Sequence, residues 1–143
     1  MRKALILTAG MLVGVVMLLA GCNGRNAVYK DGTYTGQSSA DDKENGYGVV
    51  TIKIENGTVA SCEFLTYNAD GSLKDEDYGK ENGRIVSKDF YNKAQKANAA
   101  CAEYANMLVS SGNLEGVDAV SGATVNYNLF IEAVNNALEG AKE

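Results

Sequence analysis

The chain has 143 residues, with 13 Lys and Arg against 18 Asp and Glu, three cysteines and no histidine. That acidic balance argues against a nucleic-acid partner, whose phosphates demand basic residues. Without histidine and with so few thiols no usual zinc or haem ligand set assembles, so no metal site is expected, and any redox role must use an organic cofactor.

Residues 1–21 read as a targeting segment and stand outside the fold. Arg2 and Lys3 form a positive start, Ala4 to Leu18 an apolar run, and Leu19-Ala20-Gly21-Cys22 resembles a bacterial lipobox. An uncleaved membrane anchor is the alternative, but small residues directly before a cysteine favour lipoprotein processing, with Cys22 lipidated. Two or more acyl chains give stable anchoring, so the expected location is the extracytoplasmic face of the cell membrane. The mature chain keeps 11 basic residues against 18 acidic ones, a net charge near −7. It is long enough for one domain and too short for two. Residues 22–30 read as a lipidated tether and residues 31–143 as the domain.

Gly32 to Gly36, around Tyr34, reads as a short first strand, followed by a polar loop from Gln37 to Gly46 in which nothing packs. Tyr47 to Glu55 alternates strictly: Val50, Ile52 and Ile54 share one face, while Val49, Thr51, Lys53 and Glu55 share the other. Asn56-Gly57 then predicts a two-residue hairpin turn, because a type I′ turn needs positive φ at both positions. The returning strand, Thr58 to Tyr67, should direct Ala60, Cys62 and Phe64 to its apolar face. Asn68 to Gly83 is turn-rich and charged, with only Leu73 and Tyr78 as apolar anchors, and reads as a long loop, a candidate lid or partner surface.

Ser87 is placed to cap a helix from Lys88 to about Val109, with Phe90, Ala94, Ala97, Cys101, Tyr104, Ala105 and Leu108 along one stripe. A second helix, Val125 to Ala141, should turn Phe130, Ala133, Val134, Ala137 and Leu138 inward. The fold class is therefore α+β: a small antiparallel sheet covered on one face by two helices.

Between the helices lies Asp118-Ala119-Val120-Ser121-Gly122-Ala123-Thr124, a small-residue turn running into the last helix. On its own chemistry this turn has two readings. Ser121 or Thr124 is an N-cap, or the uncovered backbone at a helix start is a seat for a phosphate.

The stretch resembles the attachment motif of the FMN-binding domain family, Asp-x-x-Ser/Thr-Gly-Ala-Thr. Asp118, Ser121, Gly122, Ala123 and Thr124 match it position for position. Asp31-Gly32-Thr33-Tyr34-Thr35-Gly36, Gly46-Tyr47-Gly48 and Tyr67-Asn68-Ala69-Asp70-Gly71 extend the resemblance upstream. Members of that family occur in the sodium-translocating NADH:quinone oxidoreductase, in Rnf complexes and in Gram-positive electron-transfer lipoproteins. The resemblance implies FMN held covalently by a phosphoester to Thr124. A separate flavin transferase would install it from FAD with magnesium, recognising Asp118 and the Ser-Gly-Ala turn. It also implies an electron carrier between a membrane donor and an extracytoplasmic acceptor, with no catalytic residue of its own. The competing reading is a non-redox surface lipoprotein, a ligand-binding or adhesive module in which the motif merely caps a helix.

Cys62 and Cys101 fall on apolar faces expected to meet. They read either as a disulfide, which the extracytoplasmic compartment permits, or as two buried thiols. Tyr34, Tyr47 and Tyr67 are either flavin-stacking rings or ordinary half-buried packing residues.

Overall fold

The alternating stretch Tyr47–Glu55 forms the central strand, β2, of a three-stranded antiparallel sheet in the computed structural model, which describes residues 28–39 and 46–142. β1 (Gly32–Gln37) and β3 (Thr58–Tyr67) flank it, so strand order follows chain order. Asn56 and Gly57 both have positive φ, 54° and 73°, as the hairpin requires. The targeting segment and Cys22 lie outside the described residues. Tyr29 and Lys30, expected in the tether, belong to the domain: their amides donate to the carbonyls of Gly57 and Ala141.

Val50, Ile52 and Ile54 are buried on the inner face, as their alternation predicts. β3 departs from the simple pattern. Its register against β2 slips after Lys53, so Lys53 pairs with Ser61 and Ile54 with Val59, leaving Ala60 as an extra, exposed residue. This β-bulge inverts the facing of the strand. Val59 points inward before it, and Phe64 and Thr66 are buried after it. Ala60 therefore does not share the apolar face with Cys62 and Phe64, because a period of two cannot cross an inserted residue.

Helix α1 (Lys88–Ser111) begins at Ser87, whose hydroxyl accepts the Phe90 amide, and ends at left-handed Gly112. Its core stripe holds Ala94, Ala100, Cys101, Tyr104, Ala105 and Leu108, but Phe90 is exposed. Phe90 belongs to the first turn, ahead of the segment that crosses the sheet. A short 3-10 turn, Leu114–Gly116, leads to α2 (Thr124–Glu139). α2 starts one residue earlier and ends two residues sooner than its periodicity predicts, while Ala141 beyond it is still buried.

Both helices lie on one face of the sheet, α1 against β3 and α2 against β1 and β2. Between the layers Phe64 meets Phe130 edge to face, and Tyr104 stacks on Phe130 at a centroid distance of 5.8 Å. Full burial of side chains such as these contributes about 1.5–3 kcal/mol each. The polar loop after β1 also packs: Ser38 is buried and its hydroxyl accepts the Gly48 amide, while Ser39 donates from amide and hydroxyl to Glu132 on α2. These bonds hold the Glu132 carboxyl below its usual range.

Gly36 sets how closely α2 approaches the sheet. A Cβ there would overlap the Ala133 carbonyl oxygen and the Ala137 amide nitrogen, both backbone atoms that no rotamer change can move. Gly36→Ala is therefore expected to cost about 1–3 kcal/mol, the usual range for overpacking. Equilibrium urea unfolding checks this; an unchanged midpoint would mean that α2 is not seated on β1.

Candidate functional site

The turn 117–124 is held from beneath. Val117 and Ala123 are buried, and the fully buried Tyr104 reaches the turn from α1. Its hydroxyl donates to the Ala123 carbonyl and accepts the Val120 amide, both at 3.0 Å. Burial raises the Tyr104 pKa, so its proton stays in place for the bond it donates. A further bond from the Ala123 amide to the Val120 carbonyl closes the turn, and Gly122 takes the left-handed conformation at φ 83°. The alanine of the motif is thus a packing residue, tucked under the turn where a larger side chain has no room.

The other motif residues face outward: Asp118, Ser121, Gly122 and Thr124 are exposed. Ala123 occupies the N-cap position of α2 and supplies no side-chain cap, and the first turn holds no acidic residue. Among the described residues the hydroxyls of Ser121 and Thr124 have no hydrogen-bond partner. The N-cap reading of these hydroxyls therefore fails. Thr124 is itself the first helical residue, one position too late to bridge back to the orphan amides. Those amides face an open cleft of about 370 Å³ lined by Lys74, Tyr78, Ala97, Gly122, Ala123, Thr124, Val125 and Asn126.

Two of these residues, Asn126 and Lys74, come from outside the motif and were not singled out in the sequence. Asn126 is buried; its amide nitrogen donates to the Ala97 carbonyl at 2.7 Å and to Cys101 Sγ at 3.5 Å, pinning the first turn of α2 to α1. Its signal is legible in retrospect, since it stands four residues before Phe130 on the inward stripe. Lys74 carried no signal. It lies in the loop 68–83, where its amide donates to the Thr66 carbonyl. That pairing buries Lys74 to 5% exposure while Leu73, the expected anchor, is 43% exposed. The Lys74 ammonium lies 4.7 Å from the Tyr78 ring centroid. Nor is the loop a free lid: Gln95 donates to the carbonyls of Asp75 and Tyr78, and Tyr91 donates to that of Glu76.

Cys62 and Cys101 are both free thiols, Cys101 buried and Cys62 half-buried. Burial, with Glu63 nearby, pushes the Cys62 pKa up to about 12. The tyrosines of the matching segments do not line the cleft. Tyr47 and Tyr67 stack on each other with centroids 5.2 Å apart on the open face of the sheet, and Tyr34 donates to the Lys30 carbonyl near the far end of α2.

An uncapped helix start with an exposed hydroxyl and no carboxylate in its first turn defines a domain suited to a phosphate-bearing ligand. The chain belongs to the FMN-binding domain family, whose model matches residues 43–139, and FMN is the cofactor that membership gives it. The fold is similar to that of the CPE2226 protein from Clostridium perfringens, at 21% identity and a TM-score of 0.60, covering 79% of this chain and 88% of that one. A solution structure of a protein from Clostridium thermocellum aligns at 25% identity and a TM-score of 0.43, covering 80% and 93% respectively. Among curated proteins none matches. The donor set fits the cofactor: amides of α2 for the phosphate and a wall of Tyr78, Ala97 and Val125 for apolar atoms.

Tyr104→Phe tests the support of this site. Removing the hydroxyl leaves the Val120 amide without its partner, which is expected to destabilise the domain by about 1–3 kcal/mol. Amide hydrogen exchange should accelerate first at Val120 to Ala123; protection equal to wild type there would mean that Tyr104 does not hold the turn.

Proposed function

We propose that the chain is a membrane-anchored, extracytoplasmic flavoprotein in which FMN is esterified to Thr124 and serves as a one-flavin electron carrier. The observation that carries this reading is the Thr124 hydroxyl, exposed on the uncapped first turn of α2 and lining the cleft. A hydroxyl used for capping would be unavailable as an acceptor. Attachment from FAD forms one Thr124 Oγ1–phosphorus bond and breaks the pyrophosphate bond to the AMP half, which departs with the hydroxyl proton. The α2 amides then meet the phosphodiester charge at the positive end of the helix dipole. FMN supplies electron transfer in one- or two-electron steps, and the ester retains a small cofactor outside the cell. Asp118, Ser121 and Gly122, exposed beside Thr124, are surfaces for a flavin transferase. A membrane donor and an extracytoplasmic acceptor complete the pathway.

Two measurements test the reading. Co-expressed with a flavin transferase, wild type should gain the mass of one FMN less one water and fluoresce as a band on a denaturing gel. Thr124→Val should do neither while keeping its circular dichroism spectrum, and Ser121→Ala should load more slowly. A colourless wild type, or flavin retained on Thr124→Val, would overturn the assignment. For the anchor, wild type should partition into detergent and Cys22→Ala should not; equal extraction of both would remove the lipoprotein reading.

A further inference from the structure

Lys74 lines both the Thr124 cleft and a second, larger cavity. This neighbour has a volume of about 500 Å³ and lies between the edge of β3, the loop at residues 73–76 and α1. Phe64, Thr66, Cys101 and Ala105 form its inner wall, with Cys62 and Leu73 at its sides. Each volume falls within the roughly 300–1,000 Å³ of small-molecule sites.

FMN is an extended molecule with a phosphate at one end and a flat, largely apolar ring system at the other. Fixing the phosphate at Thr124 leaves the ring to find an apolar seat within reach of the ribityl chain. Between the two cavities stands buried Lys74, while Glu63, Asp75 and Glu76 also line the larger one. The Lys74 ammonium is held over the Tyr78 ring, and its charge reaches into the second cavity, where it opposes the effect of burial on the Cys101 thiol.

Resting on the proposed attachment at Thr124, we propose that the isoalloxazine lies in the Cys62–Cys101 cavity with Lys74 beside it, and that Lys74 is a positioning residue that biases the flavin toward its reduced form. Uptake of two electrons and one proton turns a neutral ring into one bearing a negative charge. A fixed ammonium in a site of reduced dielectric stabilises that charged product over the neutral reactant, which raises the midpoint potential.

The test uses the full-length chain, loaded with flavin and held in detergent micelles, titrated with dithionite against a mediator dye. Lys74→Met and Lys74→Gln should both keep the fluorescent flavin band yet shift the midpoint potential to more negative values, and Lys74→Arg should restore most of the shift. A potential unchanged in both neutral variants, with the flavin attached, overturns the role of Lys74. Amide spectra of wild type need no variant to fold. On loading, ring-current shifts are expected at Thr66, Lys74, Ala102 and Ala105; shifts confined to residues 118–127 overturn the seat while leaving the attachment standing. A wild type that takes up no flavin removes the attachment and this inference together.

Discussion

The site depends on one hydroxyl. Tyr104, with no exposed surface, uses its single oxygen both to donate and to accept across two residues of the same turn. A buried polar atom left without partners costs about 1–3 kcal/mol, so the turn can neither drift from α1 nor straighten without exposing that cost. Because the backbone is fixed from beneath, its upper surface is released from structural duty. Ser121 and Thr124 need not cap anything, and the first amides of α2 stay directed at solvent. An exposed hydroxyl and a dipole terminus are thereby presented together on a rigid support, which is how precise sites are usually held.

Cleft and core are linked through Asn126 and Cys101. Asn126 joins the start of α2 to the Ala97 carbonyl, and Cys101 sits within sulfur hydrogen-bonding distance of both Asn126 and Thr66. The three elements that meet at the site, β3, α1 and α2, are therefore tied by polar contacts in the midst of an apolar core. Such contacts in a low-dielectric setting favour one arrangement over its neighbours. Each thiol here behaves as a small polarisable filler with a weak donor.

Most of the frame was legible in the sequence because it follows from period and punctuation. Val50, Ile52 and Ile54, the Asn56-Gly57 turn and the Ser87 cap each carry their own local signal and are realised as read. What escaped is non-local. The bulge at Ala60 depends on pairing with β2, so the alternation of β3 alone could not reveal it. Lys74 is buried because its amide pairs with Thr66, and a lysine among turn residues gives no hint of that. The motif itself was visible, yet the role of its hydroxyls as non-capping groups emerges only from the position of Ala123 relative to the helix start.

The bond from the Lys30 amide to the Ala141 carbonyl closes the domain into a ring whose two ends share one pole. α2 runs from Thr124 to that pole, and its 16 residues measure roughly 24 Å along the axis. Whatever grips the chain by its N-terminal segment therefore grips it at the pole opposite Thr124. The domain then holds the Thr124 end at a fixed distance from the pole where Lys30 enters.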